Sequence, residues 1–268
     1  MTEFMPKREA FQRLHQSGRF VIPNPWDVGS ARYLARLGFK ALATTSSGFA
    51  WSRGRADNGI SVEDALHHFE DVARSVDIPI NGDFEGGFAT DPSQVGANVR
   101  RAVATGIAGI SIEDSTGDAA RPLFEFELAV ERVRAAHAAA AGTGVLLTAR
   151  SEGFIVGRPH LEETLRRLSA YAQAGADCLY APGIKTPDEI AAVVRAVAPR
   201  PVNVLVGSDF TTVAELAKLG VRRISVGGAL ARAAWRGFMK AAGEIAREGT
   251  FRGLAAAMPF DEVNGLFE

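Results

Sequence analysis

One phrase occurs four times along this chain of 268 residues and constrains its fold more than any other feature. Leu37-Gly38-Phe39-Lys40-Ala41-Leu42-Ala43 returns in kind as Thr105-Gly106-Ile107-Ala108-Gly109-Ile110-Ser111, as Ala174-Gly175-Ala176-Asp177-Cys178-Leu179-Tyr180, and as Leu219-Gly220-Val221-Arg222-Arg223-Ile224-Ser225. Each time a helical pattern ends, a glycine supplies the left-handed C-cap, and a short apolar strand follows. Three other strands are entered through proline or glycine, at Ile78-Pro79-Ile80, Gly144-Val145-Leu146-Leu147 and Pro201-Val202-Asn203-Val204. The strands fall near 20–22, 41–44, 79–82, 109–112, 145–149, 177–181, 202–206 and 223–226. Amphipathic helical segments lie between most of them: Val62 to Val76, Pro92 to Thr105, Phe126 to Ala141, Leu161 to Ala174, Pro187 to Ala198 and Thr212 to Leu219.

Strict alternation of strand and helix predicts a parallel sheet, and eight units predict an α/β fold of the closed (β/α)₈ barrel type. A doubly wound open sheet is the alternative. No linker interrupts the pattern, so residues 1–268 read as one domain. Residues 227–268 run on as a helical extension with a bent tail at Met258-Pro259. That is more than closing a barrel requires, and it suits packing on a partner subunit.

Composition narrows the function classes. A net charge of -1 favours neither nucleic acid nor an anionic membrane as partner. The single cysteine, Cys178, rules out an intramolecular disulfide framework and reads as core within an apolar strand. Met1 to Phe20 is mostly polar, without a signal-peptide apolar run, and no stretch approaches the ~20 apolar residues of a membrane helix. A cytoplasmic protein is expected.

A barrel enzyme carries its chemistry at the C-terminal ends of its strands. Two such ends are acidic: Asp83 and Glu85 after strand three, Glu113 and Asp114 after strand four. Asp83, Glu85, Glu113 and Asp57 form a candidate site for Mg²⁺ or Mn²⁺, which favour oxygen ligands. Asp83 and Glu85, two apart, share a face if the segment is extended. The bland alternative is strand-end acids paired with Arg or Lys. Arg150, directly after strand five, is placed to clamp a carboxylate or phosphonate, or to pair with Glu152 or Glu113. Thr44-Thr45-Ser46-Ser47-Gly48 reads as a loop of small hydroxyls and backbone N–H groups suited to an anionic oxygen, or as a plain turn. Asn24-Pro25-Trp26-Asp27 is either a helix N-cap at Asp27 or part of a pocket wall. Ser208-Asp209 and Gly227-Gly228-Ala229 are a weaker candidate, for phosphate. His15, His67, His68, His137 and His160 fall away from the strand ends and are expected at the surface.

Taken in order, Pro23-Asn24-Pro25-Trp26-Asp27, the Thr/Ser-Ser-Gly run ending at Gly48, Arg55-Ala56-Asp57, Asp83-Phe84-Glu85-Gly86-Gly87-Phe88, Gly109-Ile110-Ser111-Ile112-Glu113-Asp114 and Ala149-Arg150-Ser151-Glu152-Gly153-Phe154 carry a resemblance. The chain resembles the isocitrate lyase / phosphoenolpyruvate mutase superfamily over nearly its whole length. The resemblance implies a barrel whose eighth helix swaps between paired subunits, usually in a homotetramer built as a dimer of swapped dimers. It implies Mg²⁺ held largely through waters by Asp57, Asp83, Glu85 and Glu113. It also implies that Ser47 and Gly48 bind the carboxylate and oxo group of an α-oxo acid or enolate, with Arg150 on the substrate. Asn203 matches an asparagine of the lyases' substrate pocket.

The departure is the loop after strand four. The members that cleave isocitrate or methylisocitrate resemble one another in a Lys-Arg-Cys-Gly-His motif there, and the mutases carry a lysine. This chain reads Ser115-Thr116-Gly117-Asp118-Ala119-Ala120-Arg121-Pro122-Leu123. The expected activity is a Mg²⁺-dependent carbon–carbon lyase acting on a small α-oxo or α-hydroxy (di)carboxylate through an enolate. Arg150 would orient the substrate, Ser46, Ser47, Gly48, Trp26 and Asn203 would line its site, and Glu152 or a metal-bound water would serve as base. Decarboxylation of an oxaloacetate-like acid needs no such base and is the first alternative. P–C bond chemistry and a non-catalytic oxo-acid-binding barrel follow.

Overall fold

A computed structural model describes residues 2–268. Met1, the start of the polar N-terminal stretch, lies outside the described residues. The eight strands are β1 (Phe20–Ile22), β2 (Leu42–Ala43), β3 (Ile80–Asp83), β4 (Gly109–Glu113), β5 (Leu146–Arg150), β6 (Cys178–Tyr180), β7 (Val202–Leu205) and β8 (Arg223–Ser225). All pair in parallel, in the order β1-β8-β7-β6-β5-β4-β3-β2. First strand therefore meets last, through Phe20 opposite Arg223, and the sheet curls into a (β/α)₈ barrel rather than an open doubly wound sheet. The remaining seam, between β1 and β2, is clasped without a ladder. Ala43 N–H donates to Pro23 O at 3.1 Å, and Asn24 Nδ2 donates to Thr44 O at 3.1 Å. The same Asn24 accepts from Val226 N–H and Gly227 N–H through Oδ1, so one side chain ties β1, β2 and β8 together.

The helices are α1 (Met5–Gln16), α2 (Val28–Arg36), α3 (Ser46–Ser52), α4 (Val62–Ser75), α5 (Pro92–Ala104), α6 (Phe126–Ala140), α7 (Leu161–Gln173), α8 (Pro187–Val197), α9 (Val213–Lys218), α10 (Ala229–Glu248) and α11 (Phe260–Asn264). The recurring glycines do what the repeat predicts. Gly38, Gly106, Gly175 and Gly220 all have φ between 85° and 107°, where a β-carbon is disfavoured, and each turns a helix into the next strand. Reciprocal capping boxes open α2 (Asp27 with Ser30), α4 (Ser61 with Asp64), α8 (Thr186 with Glu189) and α9 (Thr212 with Glu215). Each such cap contributes about 1 kcal/mol.

Two helices were not expected. The segment 44–48 is not a loop: Thr45 caps α3, whose Ser- and Gly-rich sequence gives little helical signal. The helix α1 hides in the polar N-terminal stretch and closes the end of the barrel opposite the strand C-termini. Its Phe11 packs with Phe20, Ile22, Ala41, Ala43 and Ala108. Arg8, 2% exposed, caps orphan carbonyls at Val103, Ile107 and Thr143.

This arrangement corrects the expectation for two histidines. His15 is buried on α1 against Phe11 and Phe20, its Nδ1 2.8 Å from Phe11 O. His68 is buried on α4, stacked on Phe49 with ring centroids 4.0 Å apart. Both are aromatic core residues because their helix faces turn toward neighbouring rings. Among the described residues no helix is long and apolar enough to cross a membrane.

Candidate active site

Strands β3, β4 and β5 end side by side at the barrel mouth and bring three acids onto one arginine. Arg150, the last residue of β5, donates Nη1 to Asp83 Oδ1 at 2.8 Å and Nε to Glu152 Oε1 at 2.8 Å, with Nη2 3.1 Å from Glu113 Oε2. The strand-end acids thus pair with an arginine, as the plainer reading has it, and they line a cavity of about 280 Å³ together with Asp57, Glu85 and Tyr180. The second oxygen of Asp83, Oδ2, accepts from the backbone N–H and the hydroxyl of Ser46, each at 3.0 Å.

Glu85 reaches the cavity differently from the expected shared strand face. The chain turns as soon as β3 ends, with Glu85 at φ 46° and Phe88 at φ 54°. Left-handed non-glycine residues cost of order ~1–3 kcal/mol and gather at functional sites. Phe84, fully buried against Phe69 and Phe88, pins the turn, and Glu113 N–H donates to Glu85 O at 3.0 Å.

The electrostatics penalise negative charge on these acids. Burial, reinforced by Asp83 and Asp57, pushes the Glu85 carboxyl up to about 8, and its Oε1 is buried without a partner among the described residues. Burial and then Asp83 raise Asp57. Burial also raises Glu113 and Glu152, opposed by Arg150. A set of oxygen donors that would rather be neutral, one of them orphaned, has the chemistry of a hard divalent cation site. Among the described residues no three His, Cys, Asp or Glu side chains close into a direct ligand cluster, and Arg150 is bonded between Asp83 and Glu113. The spread donors fit a cation reached largely through water.

The other expected residues separate into two groups. Ser46 and Ser47 line the cavity, Ser46 committed to Asp83 and Ser47 Oγ 3.1 Å from Thr45 Oγ1. Gly48 and Trp26 do not line it. Gly48 is a packing glycine, since a β-carbon there would meet Thr45 Cγ2 at 2.7 Å, Trp26 Cβ at 2.9 Å and Ala231 Cβ at 3.2 Å. Asn203 lies fully buried beneath the cavity, bonded to Arg223 and Ser225. Gly227 and Gly228 reach the cavity wall, yet the Gly227 N–H that a phosphate would use is spent on Asn24. In the strand-four loop, closed by a bridge between Ser115 and Leu123, the Arg121 side chain is 87% exposed and turned to Asp118, so it brings no charge to the mouth.

Sequence reasoning missed the floor. Asn81, Ser111, Arg223 and Ser225 line it. Tyr180, legible in the sequence as the end of strand six, stands in register with Arg150, whose guanidinium carbon is 5.2 Å from the phenol ring centre. The available signal was polar residues at inward positions of otherwise apolar strands, Arg223 above all. Asp114 acts one layer out. It accepts from Tyr171 OH at 2.6 Å, Arg167 Nη1 at 3.1 Å and Glu152 N–H at 2.8 Å, which fixes the backbone that carries Glu152.

A parallel eight-stranded barrel with an acidic, arginine-centred cavity at its strand C-termini has the architecture of a barrel enzyme. The chain belongs to the phosphoenolpyruvate phosphomutase family, which it matches over residues 11–246, within the isocitrate lyase / phosphoenolpyruvate mutase superfamily. A solved structure from Burkholderia cenocepacia J2315, provisionally assigned as a lyase/mutase, is 48% identical, with a TM-score of 0.95, covering 98% of this chain and 97% of that one. Phosphonopyruvate hydrolase of Variovorax sp. (strain Pal2) is 30% identical over 273 residues, 95% of this chain and 92% of its own length. A structure of phosphonopyruvate hydrolase complexed with oxalate and Mg²⁺ is 28% identical, with a TM-score of 0.85, covering 97% of this chain and 94% of that one. The superfamily is one of Mg²⁺-dependent lyases and mutases that handle small oxo acids.

Proposed function

We propose that this chain is a Mg²⁺-dependent carbon–carbon lyase that acts on a small α-oxo or α-hydroxy (di)carboxylate and collects the electrons of the broken bond as an enolate. The observation that carries the reading is the Glu85 carboxylate, buried and unpartnered beside the triad of acids on Arg150. Asp57, Asp83, Glu85 and Glu113 would hold the cation. When bound, Mg²⁺ (or Mn²⁺) supplies Lewis-acid stabilisation of the developing oxyanion. A relative's complex with oxalate and Mg²⁺ supports this, because oxalate has the charge and planarity of a pyruvate enolate.

The chain's own residues supply the remainder. Ser47, on the first turn of α3, offers its hydroxyl and N–H to the substrate's carboxylate. Arg150, held by three acids, cannot swing and so orients the substrate from a fixed position. Glu152, tied to Arg150 and to Asp114 through its N–H, is the side chain placed to take a hydroxyl proton if the substrate is a 2-hydroxy acid.

A second reading has a specific observation behind it. The strand-four loop carries no Cys, Lys or His, and Arg121 points to solvent. Decarboxylation of an oxaloacetate-like acid needs no base there and fits that loop.

We also read α10 and the tail after it as the exchanged element of a dimer of helix-swapped dimers, in the cytoplasm. Support comes from the apolar side chains that this segment leaves exposed, among them Phe238 at 62%, Met239 at 64% and Phe251 at 63%.

The deciding experiment is turnover of four- and five-carbon 2-oxo and 2-hydroxy dicarboxylates, with and without Mg²⁺. Mg²⁺-dependent bond cleavage of at least one is expected. If oxalate binds and no acid is cleaved, the chain is a binding barrel and not a lyase.

A further inference from the structure

Arg223 is buried to 2% exposure under the cavity floor with no carboxylate bonded to it. Its bonds go to neutral side chains: Asn203 Oδ1 at 3.0 Å, Asn81 Oδ1 at 3.3 Å and Thr148 Oγ1 at 2.9 Å. The buried Arg8 is satisfied by backbone carbonyls away from the cavity, and the Arg132 terminal nitrogens also go to backbone carbonyls there, whereas Arg223 lines the cavity. An uncompensated buried cation is costly, and here it begins a chain of hydrogen bonds with a defined direction.

A guanidinium only donates, so the amide oxygen of Asn203 must face Arg223. The amide nitrogen then faces Ser225 and donates to its Oγ at 2.9 Å. With that oxygen accepting, the Ser225 hydroxyl proton is free to turn into the cavity, which Tyr180 also lines. Cation, amide and hydroxyl thus follow one another, each donating to the next, and end at the wall that carries the Tyr180 phenol.

The mouth has use for such a group. An enolate must gain a proton at carbon, and the strand-four loop has no Cys, Lys or His to give one. The Ser46 hydroxyl is spent on Asp83, and Arg150 is held by three acids and stays protonated.

We propose that Tyr180 donates the proton that quenches the enolate, with Ser225, Asn203 and Arg223 as positioning residues that polarise its phenol; the assignment rests on the enolate reading above. In the step, the enolate π pair takes the phenolic proton and forms the C–H bond. The O–H bond of Tyr180 breaks, the carbonyl re-forms, and the tyrosinate is left on the wall it shares with Ser225. Water that enters as product leaves returns the proton. Burial pushes the phenol up to about 12, yet it remains a stronger acid than the C–H bond it makes.

The test is exchange of C3 protons of pyruvate and 2-oxobutyrate for deuterium in D₂O with Mg²⁺, followed by NMR on the full chain. By microscopic reversibility the donor of the forward step is the exchange route. Tyr180→Phe is expected to slow exchange about 100-fold, while oxalate with Mg²⁺ still raises the melting temperature as in the wild type. Asn203→Asp keeps an acceptor for Arg223 but neutralises its charge and removes the donor to Ser225, and is expected to slow exchange several-fold. Wild-type exchange in Tyr180→Phe with oxalate binding intact overturns the assignment and leaves the enolate reading standing. If Tyr180→Phe loses oxalate binding, Asn203→Asp decides, and unchanged exchange there overturns the assignment. Absence of exchange in the wild type overturns both readings.

Discussion

Arg150 on β5 reaches past the adjacent strand β4 to hold Asp83 on β3, Nη1 to Oδ1 at 2.8 Å. Asp83 and Glu113, with Arg150, have side chains only 12–15% exposed, and Glu152 is more buried still at 4%. Breaking such a pair by removing one partner strands the others in low dielectric. Arg150→Met is therefore expected to lower unfolding stability at neutral pH by about 3–5 kcal/mol. Urea melts at pH 7 and pH 5 check this. The deficit should shrink at pH 5, where protonation relieves the stranded acids, and an equal deficit at both would refute the charge argument.

Glu85 has the opposite sign. Its folded carboxyl sits at about 8 against an ordinary 4.5. Without a cation, the folded chain keeps a proton that the unfolded chain loses as pH rises through 4.5, so stability falls across pH 4.5–8 and the full cost is present above 8. Glu85→Gln removes that cost, and a gain of up to about 3 kcal/mol at pH 7 is expected in metal-free buffer. The same variant should lose most of the Mg²⁺-induced rise in melting temperature. Thermal melts with EDTA and with Mg²⁺ measure both, and a variant still stabilised by Mg²⁺ would take Glu85 out of the cation site.

The two buried histidines set an acid limit. Burial lowers His15 to about 3 and His68 to about 4. Their folded forms stay neutral while the unfolded chain takes up protons below about pH 6.5. Stability is lost as pH falls from 6.5 toward those values, about 2 kcal/mol per histidine by pH 5. His68→Phe, which keeps the stack on Phe49, is expected to flatten the slope between pH 7 and 5 relative to wild type. Chemical denaturation across that range is the check.

The exposed face of α10 bears on assembly. Trp235 and Phe238 stack edge to face, centroids 5.4 Å apart, beside Met239. An apolar patch of this kind marks an interface. Phe238→Asp is expected to dissociate the oligomer by at least one step in sedimentation velocity and to lower the melting temperature. A wild-type chain that sediments as a monomer would refute the helix-swap reading.

The repeat made the barrel legible, because four glycine-capped strand entries specify both the element order and its parallel sense. The mouth was legible too, since Asp83, Glu113 and Arg150 are strand ends. What the sequence hid has local causes. The Ser-Ser-Gly run gives no helical signal, so α3 and the commitment of Ser46 to Asp83 were invisible. Glu85 comes in through a left-handed turn that a two-residue spacing does not announce. Asn203 and Arg223 act through each other across neighbouring strands, a relationship no stretch of sequence contains.

Gly48 has a consequence beyond packing. It lets α3, which carries Ser46 and Ser47, touch the first turn of α10 at Ala231, and Gly228 does the same from the other side, where a β-carbon would stand 3.0 Å from Ser47 Oγ. The helix that leaves the barrel thus begins one methyl group away from the serines of the mouth. A larger residue at position 48 or 228 would wedge the start of that helix against the serines of the mouth, so the two must keep compatible sequences.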